Sequence, residues 1–187
     1  MQVVRTRIPD VMVVTPSRFG DARGYFSETY NVRLFAQHGV DTVFVQDNQS
    51  LSAAVGTIRG LHFQAPPDAQ AKLVRVLQGA IFDVAVDIRR GSPSYGQWVA
   101  ATLTADGGEQ IFVPRGFAHG FCTLTPDAVV AYKVDNYYAA ASDAGIDWAD
   151  ETLAIAWPDV ADGRSLSAKD AKLPAFADIV SPFVFEG

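Results

Sequence analysis

Histidine and cysteine are scarce in this chain: 187 residues contain three histidines and one cysteine. With Cys122 as the only thiol, no intrachain disulfide is available. Its setting between Phe121 and Thr123 reads as that of a buried small hydrophobe. Basic charge is also short. Fifteen Lys and Arg stand against 21 Asp and Glu, a formal net charge of −6. An acidic surface disfavours nucleic acid and anionic membranes, and leaves room only for local Arg and Lys clusters that hold a small anion. Long apolar runs are missing. No window approaches the length that spans a bilayer. The segment MQVVRTRIPDV has no signal-like apolar core and is broken by Pro9-Asp10. A cytoplasmic protein with no nucleic-acid or membrane partner is expected. Repeats, low-complexity tracts and linkers are absent too, so a single domain over residues 1–187 is expected.

What is present is strand signal. Lys72–Leu77 and Ala80–Ile88 are rich in Val, Ile, Leu and Phe, with the turn signal Gln78-Gly79 between them. In the second segment Phe82, Val84, Val86 and Ile88 alternate with Asp83, Ala85 and Asp87, a period of two that marks a strand with unlike faces. Glu109–Val113, Phe117–Leu124 and Val129–Val134 read as further strands, and Pro114–Gly116 as a turn. Helices are few. Asn31 is placed to cap Val32–His38, with Gly39 as the stop, and Ser167 to cap a short turn running into Lys172. Short strands with close turns predict a mainly β, antiparallel barrel or jelly roll.

Two of the three histidines sit in glycine-rich frames, GTIRGLHFQ at Gly56–Gln64 and PRGFAHGF at Pro114–Phe121. A metal site needs several converging N or O donors. A His-x-His pair would fall on His62 and position 64, but that position is Gln64, and His38 lies on the predicted surface helix. Metal-free chemistry is therefore the better expectation. His62 then suits proton transfer, since imidazole titrates near neutrality. On a strand, Leu61 and Phe63 pack on one side while His62 and Gln64 face the other. A lone histidine is more often a satisfied structural group, but the crowding of Arg59, Gly60 and Gln64 speaks against that here.

If Gln78-Gly79 is a hairpin turn, Lys72 falls opposite Ala85 and becomes a diagonal neighbour of Asp83. As a surface pair this would contribute about 0–1 kcal/mol. Inside a barrel, the lysine would favour an oxyanion. Tyr132, in the apolar strand Val129–Val134, is either a bonded core tyrosine or a proton donor. Ser167-x-x-Asp170 fits a capping box. Asp170 acquires a catalytic meaning only by folding back onto His62, where it would fix the tautomer. Arg23 lies in a hairpin-like turn, Phe19–Gly24, and Arg59 in strand context. With Lys72, these guanidinium groups suit a diphosphate.

Together these motifs closely resemble the dTDP-4-dehydrorhamnose 3,5-epimerases, cupin-fold enzymes acting on sugar nucleotides. The resemblance runs from Ile8 to about Pro174. It rests on DARGYFSE at Asp21–Glu28, FVQDNQS at Phe44–Ser50 and GTIRGLHFQ, and on DVAVDIRRGSPSYGQW at Asp83–Trp98, VPRGFAHGF at Val113–Phe121 and LSAKD at Leu166–Asp170. It implies a cupin-type jelly roll with a few short helices. It implies that His62 is the base, Asp170 its carboxylate partner, Tyr132 the acid on the opposite face and Lys72 the group beside the keto oxygen, with Asp83 close to it. Arg23, Glu28, Gln46, Asn48, Arg59, His119 and Lys169 match substrate-binding positions. Asp143 stands where the family commonly has Glu, a shorter acid at a nucleotide contact. The family implies no metal or organic cofactor, and a homodimer with exchanged N-terminal strands. The expected reaction is epimerisation of a dTDP-4-keto sugar at carbons 3 and 5. The alternatives are epimerisation at one carbon only, a metal-dependent cupin, or a non-catalytic one. The Gln49–Val55 loop reads as slightly longer than in common bacterial members. The tail Ala175–Gly187 lies outside the resemblance, and covering a dimer surface or loose order are the two expectations for it.

Overall fold

The computed structural model describes residues 1–186. Thirteen strands account for most of its regular structure. They are β1 (Gln2–Arg5), β2 (Met12–Thr15), β3 (Phe19–Asp21), β4 (Gly24–Phe26), β5 (Gln46–Ser52), β6 (Ile58–Gln64) and β7 (Lys72–Gln78). There follow β8 (Ala80–Asp87), β9 (Trp98–Thr104), β10 (Gln110–Val113), β11 (Phe117–Thr123), β12 (Ala128–Val134) and β13 (Asp143–Gly145). Helix α1 covers Val32–Ala36. The Asn31 side chain caps it, accepting from the Arg33 and Leu34 amides at 3.1 and 3.2 Å. The helix stops earlier than Gly39, but the chain still turns there, with Gly39 at φ +91°.

Two antiparallel sheets face each other. One runs β1-β2-β10-β7-β12-β5, the other β13-β6-β11-β8-β9. This is the cupin-type jelly roll expected. The strands that alternate in sequence separate three apolar layers. Between the sheets lie Val74, Val76, Ile81, Ala85, Ile111 and Phe121, among others. Outside the first sheet, Leu73, Met12 and Val14 pack under Phe35 of α1 and Val40. Outside the second, Leu61, Phe63, Val84, Val86 and Ile88 pack under Ile146, Leu153 and Phe176 of the C-terminal segment.

The period-two strand β8 is thus inverted relative to a simple barrel. Its richest apolar face, Phe82, Val84 and Val86, continued by Ile88 just past its end, points away from the barrel, under the C-terminal covering. That arrangement frees inward positions for polar groups, because the second face can be buried by something other than the barrel core. Asp87 exploits burial in another way. It is fully buried and accepts hydrogen bonds from Arg89 (2.7 Å), Ser92 (2.6 Å) and Ser94 (2.7 Å), which pin the loop before β9.

The Lys72–Asp83 hairpin is overturned. β7 lies in the six-stranded sheet and β8 in the five-stranded one, so the two strands are not paired. Gly79, at φ +79°, turns the chain from one sheet into the other. The pairing partners of β7 are instead β10 and β12. The Gln49–Val55 loop is also corrected: residues 49–52 belong to β5, which pairs with β12 along its length. The C-terminal segment is built into the molecule through 186. Ser181 is fully buried and donates to the Ile88 carbonyl, and Phe183 packs edge-on against Phe63.

Candidate active site

β6 explains the glycine frames. Across β6 and β11, His62 pairs with His119 but Arg59 pairs with Phe121, so β6 carries an extra residue in a bulge. Gly60 sits in that bulge at φ +123°. A Cβ there would lie 2.5 Å from the Gly120 Cα and 2.7 Å from the His119 carbonyl oxygen. Glycine at both positions lets the two backbones touch. The bulge sets the facing of Arg59 and His62 along one strand.

Two adjoining cavities of about 290 and 280 Å³ open between the sheets. They share His62 and Lys169, and also Lys72 from β7 and Tyr132 from β12. The first adds Gln46 and Asn48 from β5 and Asp143 from β13. The second adds Arg59 and His119, with Asp170 behind His62. Strands β5, β6, β7, β11 and β12 supply most of the lining, at alternate positions along β5, β7 and β11, and β13 and the loops around Tyr138 and Lys169 supply the rest.

His62 Nε2 lies 2.7 Å from Asp170 Oδ1. An ionised Asp170 accepts from Nε2–H and leaves the lone pair on Nδ1. The capping box is half realised: Ser167 Oγ accepts from the Asp170 amide at 3.0 Å, while the Asp170 carboxyl turns to His62 instead of back to the turn. Burial pushes the His62 pKa below its ordinary value; Asp170 opposes this, and Lys72 and Lys169 add to it. The imidazole is neutral at pH 7, as a base must be.

Burial pushes Lys72 down to about 8, against the pull of the Asp83 and Asp143 carboxylates. Its nearest acceptor, the His62 carbonyl oxygen, is 3.5 Å away. That is too long to hold the ammonium, so its donors remain available. Burial raises the Tyr132 pKa, and Asp143 adds to the rise while Arg59 opposes it. Tyr132 is thus a neutral phenol with a proton to give. His119 forms a second histidine–carboxylate pair, its Nε2 2.9 and 3.0 Å from the oxygens of fully buried Asp83. Asp143 accepts from the Tyr138 hydroxyl at 3.0 Å and from Lys169 Nζ.

Arg23 and Glu28 lie elsewhere in this chain. Arg23 is on the β3–β4 hairpin, its side chain 89% exposed and paired with Asp21 at 2.5 Å. Glu28 accepts from Asn31 Nδ2 at 3.1 Å. Conversely, Gln64, Gln70, Tyr138, Ser50 and Ser167 line the cavities without having been singled out as site residues. Ser50 and Gln64 are polar residues on strands and Ser167 was read only as a turn cap, while Gln70 and Tyr138 lie in polar loops that carry no periodic signal. Among the described residues, no group of three or more His, Cys, Asp or Glu side chains converges as a metal ion would require.

Residues 5–178 match the family model described as dTDP-4-dehydrorhamnose 3,5-epimerase. A relative of that name from Sinorhizobium fredii is 49% identical over 95% of this chain and 91% of its own length. The crystal structure of the Bacillus anthracis dTDP-4-dehydrorhamnose 3,5-epimerase, with TDP and PPi bound, is 52% identical. It covers 93% of this chain and 98% of its own, with a TM-score of 0.89. The Legionella pneumophila dTDP-6-deoxy-D-glucose-3,5-epimerase, in complex with dTDP-4-keto-L-rhamnose, is 39% identical. It covers 100% of this chain and 99% of its own, with a TM-score of 0.93. The match in sequence and in fold extends over nearly every residue described above, and the chain belongs to the dTDP-4-dehydrorhamnose 3,5-epimerase family.

Proposed function

We propose that this chain epimerises dTDP-4-dehydro-6-deoxy-D-glucose at carbons 3 and 5, giving dTDP-4-dehydro-L-rhamnose. The observation that carries the site assignment is the His62–Asp170 dyad facing Lys72 and Tyr132 in one pair of joined cavities. In a 4-keto sugar the hydrogens on both carbons are alpha to the carbonyl. Removing either gives an enolate, so one base and one oxyanion stabiliser serve both centres.

His62 takes the proton on Nδ1, while Asp170 stabilises the imidazolium through Nε2–H. Lys72, cationic at neutral pH, faces the developing enolate oxygen. Tyr132 returns a proton from the other face. Arg59 and His119 support the diphosphate: one is a permanent cation, the other is backed by a buried carboxylate. Gln46, Asn48 and Lys169 supply further substrate contacts, and Asp83 supports His119 and Lys72. No step in this scheme calls on a metal or organic cofactor.

A second copy of the chain fits the unfinished part of the site. Phe19, Tyr25 and Phe26 of the β3–β4 hairpin are 65%, 61% and 69% exposed, and Arg23 and Glu28 flank them. An apolar hairpin left in water favours burial on a partner. In a homodimer that exchanges this N-terminal arm, Arg23 and Glu28 reach the nucleotide in the partner's site. A cytoplasmic location agrees with the single, buried, unpaired thiol of Cys122. Among the described residues, no helix is long and apolar enough to cross a membrane.

The test is incubation with dTDP-4-dehydro-6-deoxy-D-glucose in heavy water, followed by NMR. Deuterium at carbons 3 and 5, with the L-rhamno product, is expected. Deuterium at one carbon alone would make the enzyme a mono-epimerase, and no uptake would remove the catalytic reading.

A further inference from the structure

Gln64 stands in the first cavity, where a metal-binding barrel would place a second histidine. It is almost fully buried, at 4% exposure. Its amide is spent on backbone. Nε2 donates to the Asp68 carbonyl at 2.6 Å and to the Tyr137 carbonyl at 3.2 Å. Oε1 accepts from the Ala139 amide at 2.8 Å. Both amide hydrogens are used, so the side chain has no donor left for a ligand.

What Gln64 holds is the segment on either side of Tyr138. The Tyr138 amide itself donates to Gln46 Oε1 at 3.2 Å. Three successive residues are therefore fixed by two glutamine side chains from β5 and β6. The same brace includes Ser142 Oγ, which donates to Asp68 Oδ2 at 2.6 Å. Tyr138 needs such fixing, because the residue is 61% exposed and lacks the packing that would hold a buried ring. Its hydroxyl crosses to Asp143 Oδ2 at 3.0 Å. Asp143 is the residue that β13 sets directly beside Gln64 in register.

We propose that Gln64 is a positioning residue for the epimerisation. It fixes Tyr138 beside the first cavity, where the tyrosine and Asp143 form one wall of the substrate site. This inference rests on the proposed function. Gln64 acts through Tyr138, and its substitution therefore weakens substrate capture more than the chemical step.

Steady-state kinetics on dTDP-4-dehydro-6-deoxy-D-glucose separates the two. Turnover by the unsubstituted enzyme tests the parent reading first; a failure there is distinct from a failure of this one. Gln64→Leu and Tyr138→Ala are each expected to raise KM about tenfold with kcat changed by less than about threefold, the scale of one lost hydrogen-bonded contact. The double variant is expected to show about the same tenfold rise, because residues acting as a unit are not additive. A rise near hundredfold in the double variant, an unchanged KM in Gln64→Leu, or a fall in kcat alone would each overturn the proposal. Should Gln64→Leu not fold, Gln64→Glu, which keeps the acceptor for Ala139 and loses both donors, enters the same cycle under the same criteria.

Discussion

The base role proposed for His62 rests on two opposing influences that leave it neutral yet oriented. Burial lowers its pKa, and Asp170 restores part of the loss while fixing the ring. His62→Ala should lower turnover by at least roughly 100-fold, the usual contribution of a general base, with the fold retained by circular dichroism. Tyr132→Phe is expected to keep solvent deuterium exchange while net inversion falls, as seen by NMR of the recovered sugar; equal losses would remove its role as second-face donor. The pH profile of kcat/KM should be bell-shaped. The base must be neutral, so activity rises with pH through the lowered His62 pKa, on the acid side of about 6.5. The lysine must be charged, so activity falls as pH passes the Lys72 value of about 8. Lys72→Arg, whose side chain stays charged throughout this range, should carry whatever activity remains to higher pH and abolish the limb near 8. A limb that stays in place would assign it to another group.

At the level of elements, the β6–β11 contact is the tightest determinant of the site. Gly60→Ala would push a Cβ into Gly120 and the His119 carbonyl from a backbone at φ +123°. Neither obstacle is a flexible side chain. A loss of about 2–4 kcal/mol is expected from overpacking and backbone strain combined. For a chain of this size that corresponds to a fall in Tm of roughly 5–15 °C by differential scanning calorimetry. Strands β7, β8, β10, β11 and β12 were legible in the sequence within a residue or two, because each carries a run of branched and aromatic residues with alternating faces. Their partners were not. The turn Gln78-Gly79 has hairpin composition, yet it carries the chain between sheets; local turn chemistry does not say which edge the next strand joins. Strands β1, β9 and β13 had no distinctive run and emerge only through pairing.

At the scale of the whole molecule, the exposed β3–β4 hairpin is the feature that a single chain leaves unsatisfied. If the proposed dimer forms, Phe26→Asp with Phe19→Asp is expected to convert it into a monomer in sedimentation velocity and to raise KM for the nucleotide sugar at least about tenfold, since a charge in an apolar interface is not accommodated. A species that is monomeric without these substitutions would remove the exchanged-arm reading. The chemical inventory was present in the sequence alone: three histidines, with Gln64 where a metal site would need another, and a set of motifs whose residue types suit proton transfer beside a diphosphate. The alternation of each strand also fixed which residues share a face, because the backbone repeat is local. Tertiary structure alone decided which faces look inward. It brought Asp170 across 108 residues onto His62, set Lys72 and Asp83 on opposite sheets, and gave Gln64 to the Tyr138 segment rather than to a ligand. These relations depend on sheet closure and on a C-terminal covering that buries the second face of β8, and no local periodicity encodes either.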